Sequence, residues 1–237
     1  MYHQSDCTML IIADSRMPEK AMENLQSIAE VLQLEPQNSV YPSIAAHPDI
    51  FFCQTNYALV TAPEIPSHWI EKLIKHGVSF RFGDKNLSCQ YPDTASYNAV
   101  AIGKTLIHNL QITDKILLEM FDPSQRIHVE QGYTRCNLIA LNEQTFITSD
   151  KGIEKKLLSA GKEVFFVNPR QIRLPHQKHG FFPGACGITS NIFYVCGDTN
   201  FLDEANALQA FIKNCGLILV HLCDGPPTDV GSIFFIE

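Results

Sequence analysis

Apolar positions along the chain fall into two alternating spacings. Over residues 18–32 they recur at Met22, Leu25, Ile28, Ala29 and Leu32, the spacing of a helix buried along one face, and Pro18 suits its first turn. Four more segments read the same way: 66–75, ended by His76 and Gly77; 113–121, stopped before Pro123; 153–160, stopped at Gly161; and 202–213, stopped near Gly216. Between these helices, short apolar runs bounded by turn residues predict strand pairs. They lie at 50–53 and 57–61 across Gln54-Thr55-Asn56, at 138–141 and 145–148 across Asn142-Glu143-Gln144, and at 188–189 and 192–196 across Ser190-Asn191.

A small or polar cluster stands before the first strand of each unit. His47-Pro48-Asp49, Ser96-Tyr97-Asn98, Arg135-Cys136-Asn137, Gly184-Ala185-Cys186 and Asp229-Val230-Gly231 all run directly into apolar residues. The period, roughly 40 to 50 residues, is that of a repeat architecture, and five such units fill nearly the whole length. A unit of that size cannot bury a core alone, so one domain over 1–237 is expected. The fifth unit has only its first strand, 232–237, whereas a lone strand at 8–13 precedes the first helix. Pairing the two completes the fifth hairpin and leaves no open edge. The expected fold is therefore α/β: a five-fold pseudosymmetric α/β propeller, with the N- and C-terminal strands closing the ring.

Composition narrows the class. The 237 residues are 45% hydrophobic and 18% charged, and no apolar run approaches the length of a membrane span. The start, Met1-Tyr2-His3-Gln4-Ser5-Asp6, lacks the basic and apolar regions of a signal peptide, so a cytoplasmic chain is expected. The eight cysteines form no C-x-x-C pair and the nine histidines no zinc spacing; neither a disulfide framework nor a metal or other cofactor is expected. A formal net charge of −7 disfavours nucleic acid as the partner and suits a cationic small molecule.

The five-fold repeat of helix and strands resembles the pentein fold of the guanidine-modifying enzymes: arginine and agmatine deiminases, dimethylarginine hydrolases and amidinotransferases. The same fold serves a non-catalytic, ribosome-binding initiation factor. His47-Pro48-Asp49 resembles the family's H-x-D motif, Gly132-Tyr133-Thr134-Arg135-Cys136-Asn137 its nucleophile loop, and Asp229-Val230-Gly231-Ser232 its acidic motif. The acidic unit falls last in this chain, a circular shift that a closed ring accommodates.

The resemblance implies Cys136 as nucleophile, His47 as acid and base, and Asp49 and Asp229 as clamps on a guanidinium. It implies no cofactor. A free thiol is only a few per cent ionised at neutral pH, so Cys136 needs a cation beside it: a bound guanidinium, protonated His47, or Arg135. Cys186, between Ala185 and Gly187, is the rival nucleophile, and Cys223 a weaker one. Asn98, Tyr133, Asn137, Cys186, Asp224 and Ser232 are the candidates for lining the pocket. The plainer readings stand beside these. His47-Pro48-Asp49 also suits a simple turn, His176 to His179 a solvated loop, and Cys53, Cys89, Cys196 and Cys215 core filling. Function is expected to be cysteine-dependent hydrolysis or group transfer on a guanidine or amidine, with a non-catalytic binding module of the same fold as the alternative.

Overall fold

The computed structural model describes residues 9–237, so Cys7 and Thr8 lie outside the described residues. The chain begins with β1 (Leu10–Asp14), α1 (Glu19–Gln26) and β2 (Glu30–Leu34). The next unit holds α2 (Pro48–Phe51), β3 (Phe52–Gln54), β4 (Leu59–Thr61), α3 (Ser67–Lys75) and β5 (Phe80–Phe82). It is followed by β6 (Val100–Ile102), β7 (Thr105–His108), α4 (Lys115–Met120) and β8 (Arg126–His128). Then come α5 (Thr134–Asn137), β9 (Leu138–Ala140), β10 (Thr145–Thr148), α6 (Lys151–Ser159) and β11 (Glu163–Phe166). The last elements are β12 (Cys186–Thr189), β13 (Ile192–Val195), α7 (Ala205–Asn214), β14 (Ile218–His221) and β15 (Phe234–Ile236).

These strands form five separate three-stranded sheets, β3-β4-β5, β6-β7-β8, β9-β10-β11, β12-β13-β14 and β15-β1-β2. In each, the middle strand is antiparallel to the first and parallel to the third, with a helix in the crossover. The fifth sheet draws on both ends of the chain: Leu10, Ile11 and Ile12 face Ile236, Phe235 and Phe234. The terminal strands thus pair as the repeat count requires.

Middle strands are buried on both faces, which is why they read as unbroken apolar runs: Ile11 and Ile12, Val60, Leu106 and Ile107, Phe146 and Ile147, Phe193 and Val195 are almost wholly inaccessible. Their helices supply the outer cover. Trp69 of α3, fully buried, packs on Phe51 and Phe52 at ring separations of 5.4 and 6.1 Å and donates its indole N–H to Glu35. Neighbouring first strands succeed one another, β3 beside β6, β6 beside β9 and β12 beside β15. Gln54 Nε2 donates to the Phe235 carbonyl at 2.7 Å, tying β3 to β15. The cluster that precedes each first strand is thereby carried to the same end of the molecule.

Two elements depart from the periodicity. The helix expected over 18–32 ends at Gln26, because Val31 and Leu32 project to opposite faces of β2, each into a different apolar cluster. Its apolar spacing served a helix and then a strand. Likewise Ile50 and Phe51 belong to the single turn α2, whose first position Pro48 occupies, and the strand starts only at Phe52. Among the described residues no helix is long and apolar enough to cross a membrane.

Candidate functional site

Asn98 is the fastener of the cluster end. Its side-chain N–H groups donate to the Asp49 carbonyl at 2.9 Å and to the Cys136 sulfur at 3.3 Å. Its Oδ1 accepts from the backbone N–H groups of Arg135 at 2.7 Å and Cys136 at 3.3 Å. One fully buried amide therefore joins the first, second and third clusters and fixes the thiol of α5 against α2.

The fifth cluster is bound to the first by a second set of bonds. Ser232 Oγ donates to Asp49 Oδ2 at 2.8 Å, and the Asp49 N–H donates to the Gly231 carbonyl at 3.1 Å. Gly231, at φ +68°, lies directly against His47, and any Cβ there would overlap the imidazole. Ser232 itself takes φ +70°, a conformation that a residue with a Cβ adopts only under constraint. Asp229 rests in a notch between Gly180 and Gly184, where its carboxylate accepts N–H groups from Phe181 and Gly231, both at 3.0 Å.

Above these groups lies a cavity of about 180 Å³ lined by His47, Asp229, Asp14, Arg16, Ser43 and His176, among others. His47 Nε2 stands 3.8 Å from Asp14 Oδ2, and no protein group among the described residues bonds its Nδ1. Asp49 Oδ1, Ser96 Oγ and Asn137 Oδ1 are also buried without a partner among the described residues. Unpaired buried polar atoms cost roughly 1 to 3 kcal/mol each, and these four lie in the clusters; His76 Nδ1, at the end of α3, is a fifth elsewhere. Arg16 grips Asp14 in a two-pronged pair and donates to the Pro42 carbonyl at 2.6 Å, placing one guanidinium of the chain beside His47.

Cys136 is 5% exposed and is not among the residues lining that cavity. Near it, Tyr41 donates its hydroxyl to Tyr133 at 3.1 Å, and Tyr133 bonds Thr94 at 2.5 Å. Ser43, which lines that cavity, accepts a bond from Gln177 Nε2 at 3.0 Å.

Charge sets the protonation of these groups. Burial pushes the Cys136 thiol well above its ordinary range, the neighbouring Asp49 and Asp229 carboxylates push it further, and the Asn98 bond opposes them. Burial lifts Asp229 to about 6; Asp49 adds to the rise, while His47 and the two backbone N–H groups restrain it. The Arg135 guanidinium, half-buried, lies 5.7 Å from the Phe234 ring centre and donates to the carbonyls of Pro183 and Cys186. Burial draws its pKa down and Asp49 supports its charge.

Of the residues proposed from sequence, His47, Asp49, Asn98, Cys136, Asp229 and Ser232 converge. Tyr133 lies near the thiol, and Asn137 donates its side-chain N–H to the Tyr133 carbonyl. Cys186 is fully buried, its S–H donating to the Phe182 carbonyl at 3.0 Å, and burial raises its pKa strongly. Asp224 is exposed, beyond the Cys223 that packs toward α1, and none of its bonds reaches the cluster. The rigid loop 224–227 turns it outward rather than to the mouth. Asp14, Arg16, Tyr41 and Ser43 were missed. Asp14 had a signal: it is the carboxylate that ends the apolar run of the lone first strand, the unit whose cluster sits at the other terminus. Among the described residues no group of three or more His, Cys, Asp or Glu side chains is placed to hold a metal ion.

Five like three-stranded sheets, the fifth drawing on both ends of the chain, with their turn clusters at one end, have the architecture of the pentein fold, and solved structures agree. DDAH of Pseudomonas aeruginosa, a cysteine-to-serine variant complexed with citrulline, superposes with a TM-score of 0.55 at 7% identity, covering 90% of this chain and 91% of that one. SxtG, an amidinotransferase from Microseira wollei in the saxitoxin biosynthetic pathway, gives 0.51 at 11% identity over 90% and 88%. A histidine-to-glycine variant of dimethylarginine dimethylaminohydrolase, an adduct with S-methyl-L-thiocitrulline, gives 0.54 at 8% over 90% and 92%. At these identities the likeness concerns the fold. No curated protein matches in sequence. The profile of DUF6873, a family of unknown function, matches residues 12–234, and the chain belongs to that family.

Proposed function

We propose that the five sheets close into one propeller and that its cluster end binds and transforms a small guanidinium or amidinium compound, with Cys136 as nucleophile. The observation that carries this reading is the contact of the Cys136 thiol with Asp49 and Asn98, beside His47 and Asp229, from loops that lie up to 182 residues apart in the chain. Two carboxylates that hold a thiol neutral become its activators once a cation lies between them, since the cation cancels the repulsion that both exert on a thiolate. The resting site is thus a protonated thiol, and with the substrate's charge in place its proton passes to His47.

In that state the thiolate attacks the guanidinium carbon. His47 protonates the departing amine as the C–N bond breaks, which leaves a thiouronium on Cys136. Water, deprotonated by His47, then adds to that carbon and the C–S bond breaks, returning the thiolate; an amine in place of water makes the same sequence a transfer. Asp49, Asp229 and Asp14 accept hydrogen bonds from the planar cation, Arg16 leaving Asp14 to make room.

A second reading, binding without covalent chemistry, draws on the position of Cys136 outside the cavity that holds His47 and Asp229. The two are separated by a screen of arginine, agmatine, methylated arginines and simple amidines for release of ammonia or amine, with the wild type against Cys136→Ala. Turnover that disappears in the variant supports the enzyme. Saturable binding of a cation that both proteins share, without turnover, supports the binding module and removes Cys136 from the chemistry.

A further inference from the structure

Two thiols remote from the reaction just described form a pair of their own. β13 ends at Val195 opposite His221 of the parallel strand β14, so Cys196 follows one strand end directly and Cys223 follows the adjacent one after Leu222. Gly197 then turns the chain at φ +118°, and it must be glycine: a Cβ there would lie 2.6 Å from the Pro227 Cα. The Leu222 N–H donates to the Val195 carbonyl at 2.8 Å, so the strand pairing runs on past β14, and Cys223 packs against the same apolar cluster that holds Cys196. Cys196 is fully buried, whereas Cys223 is half-buried at the edge of the apolar cluster that α1 covers. Both are free thiols.

We propose that Cys196 and Cys223 are a peroxide-reactive dithiol, in which the accessible Cys223 is oxidised first and the buried Cys196 resolves it to a disulfide. Reaction needs a thiol that solvent can reach and a second one close enough to resolve it, and neighbouring ends of paired strands in one cluster bring this pair together with Cys223 the accessible partner. The other described cysteines differ. Cys53, Cys136 and Cys186 are buried with raised pKa, Cys215 is part-buried with its pKa also raised by burial, and Cys89 is exposed. The Cys223 thiol is held down to about 7, first by the Cys196 S–H and then by the Gly197 N–H, against burial and Asp224. Cys186 and Asp229 face Cys196 from the inner side and favour its protonated form.

The steps balance. The Cys223 thiolate attacks one peroxide oxygen, the O–O bond breaks, and the second oxygen leaves as water after taking a proton. The Cys196 thiol attacks the resulting sulfenic sulfur, the S–O bond breaks, and a second water leaves as the S–S bond forms. Peroxide is reduced by two electrons and the two thiols are oxidised by two. Two sulfurs alone make a poor metal site, which favours redox chemistry for the pair.

The test is peptide mapping of the reduced full-length protein after near-stoichiometric hydrogen peroxide. The expected product is a disulfide linking the Cys196 and Cys223 peptides, reversed by dithiothreitol. In Cys196→Ala the expected product is instead a sulfenic acid on Cys223, captured by dimedone. Should that buried substitution prevent folding, Cys223→Ser carries the test, and its mapping is expected to show no linkage at Cys196. The proposal is overturned if wild-type Cys196 and Cys223 remain thiols while Cys89 is oxidised, or if Cys223 links to a different cysteine.

Discussion

Asp229 is a carboxylate whose environment works against its charge, and that has a measurable consequence for the whole protein. Its pKa rises from 3.8 in a free chain to about 6 in the fold, so between those values the folded state holds a proton that the unfolded state has released. Stability attributable to this group is present below pH 4 and falls as pH rises to 6, by up to about 3 kcal/mol at 1.36 kcal/mol per pKa unit. The urea midpoint of Asp229→Asn, compared with wild type between pH 4 and 7, is expected to lose that downward component. An unchanged pH profile would show that Asp229 ionises at its ordinary value. The same repulsion supports the functional proposal, because a cation that enters beside Asp229 recovers the free energy which the empty pair of carboxylates gives up.

At the scale of elements, the clusters hold their geometry through close backbone approach as much as through side-chain bonds. Gly231 precedes β15 at φ +68° and has His47 pressed against its Cα, whereas Gly161, after α6, has φ +74° with open space around it. Gly161→Ala is expected to cost about 1 kcal/mol for the left-handed conformation alone. Gly231→Ala adds the displacement of His47 and is expected to cost at least about 2 kcal/mol more, read as the difference in urea unfolding free energy. Equal costs would mean that His47 yields without penalty. Helix ends and strand pairs of this kind were largely legible in the sequence, because apolar spacing and capping residues are local signals: 145–148 is β10 residue for residue, and Gly77 and Gly161 end their helices as read. Residues 27–34 misled because both faces of β2 are covered, so its apolar residues continue the helical spacing of α1.

For the molecule as a whole, the repeat count located the closing strand pair, since a missing hairpin strand at one terminus and a lone strand at the other are visible together. The candidate site was legible only where a reactive residue type stood inside a cluster, as with His47, Asp49, Cys136 and Asp229, which the fold brings together. Asp14 and Arg16 belong to the same cavity but come from the end of β1, and Tyr41 from the connection after β2, where nothing local distinguishes a lining residue from a solvated one. Asp224 failed for the converse reason: its Gly-Pro-Pro loop predicts rigidity and says nothing of direction.

The central claim is that the cluster end recognises a planar nitrogen cation and delivers it to Cys136. It is tested most directly by alkylating the protein with a haloacetamidine and with the uncharged iodoacetamide, and measuring the rate at Cys136 relative to the exposed Cys89. The account predicts that the amidinium reagent raises this ratio by about tenfold or more, the effect of one pKa unit on the thiol, and that Asp49→Asn removes the gain. A ratio that is the same for both reagents, with Cys89 modified first by each, would contradict it.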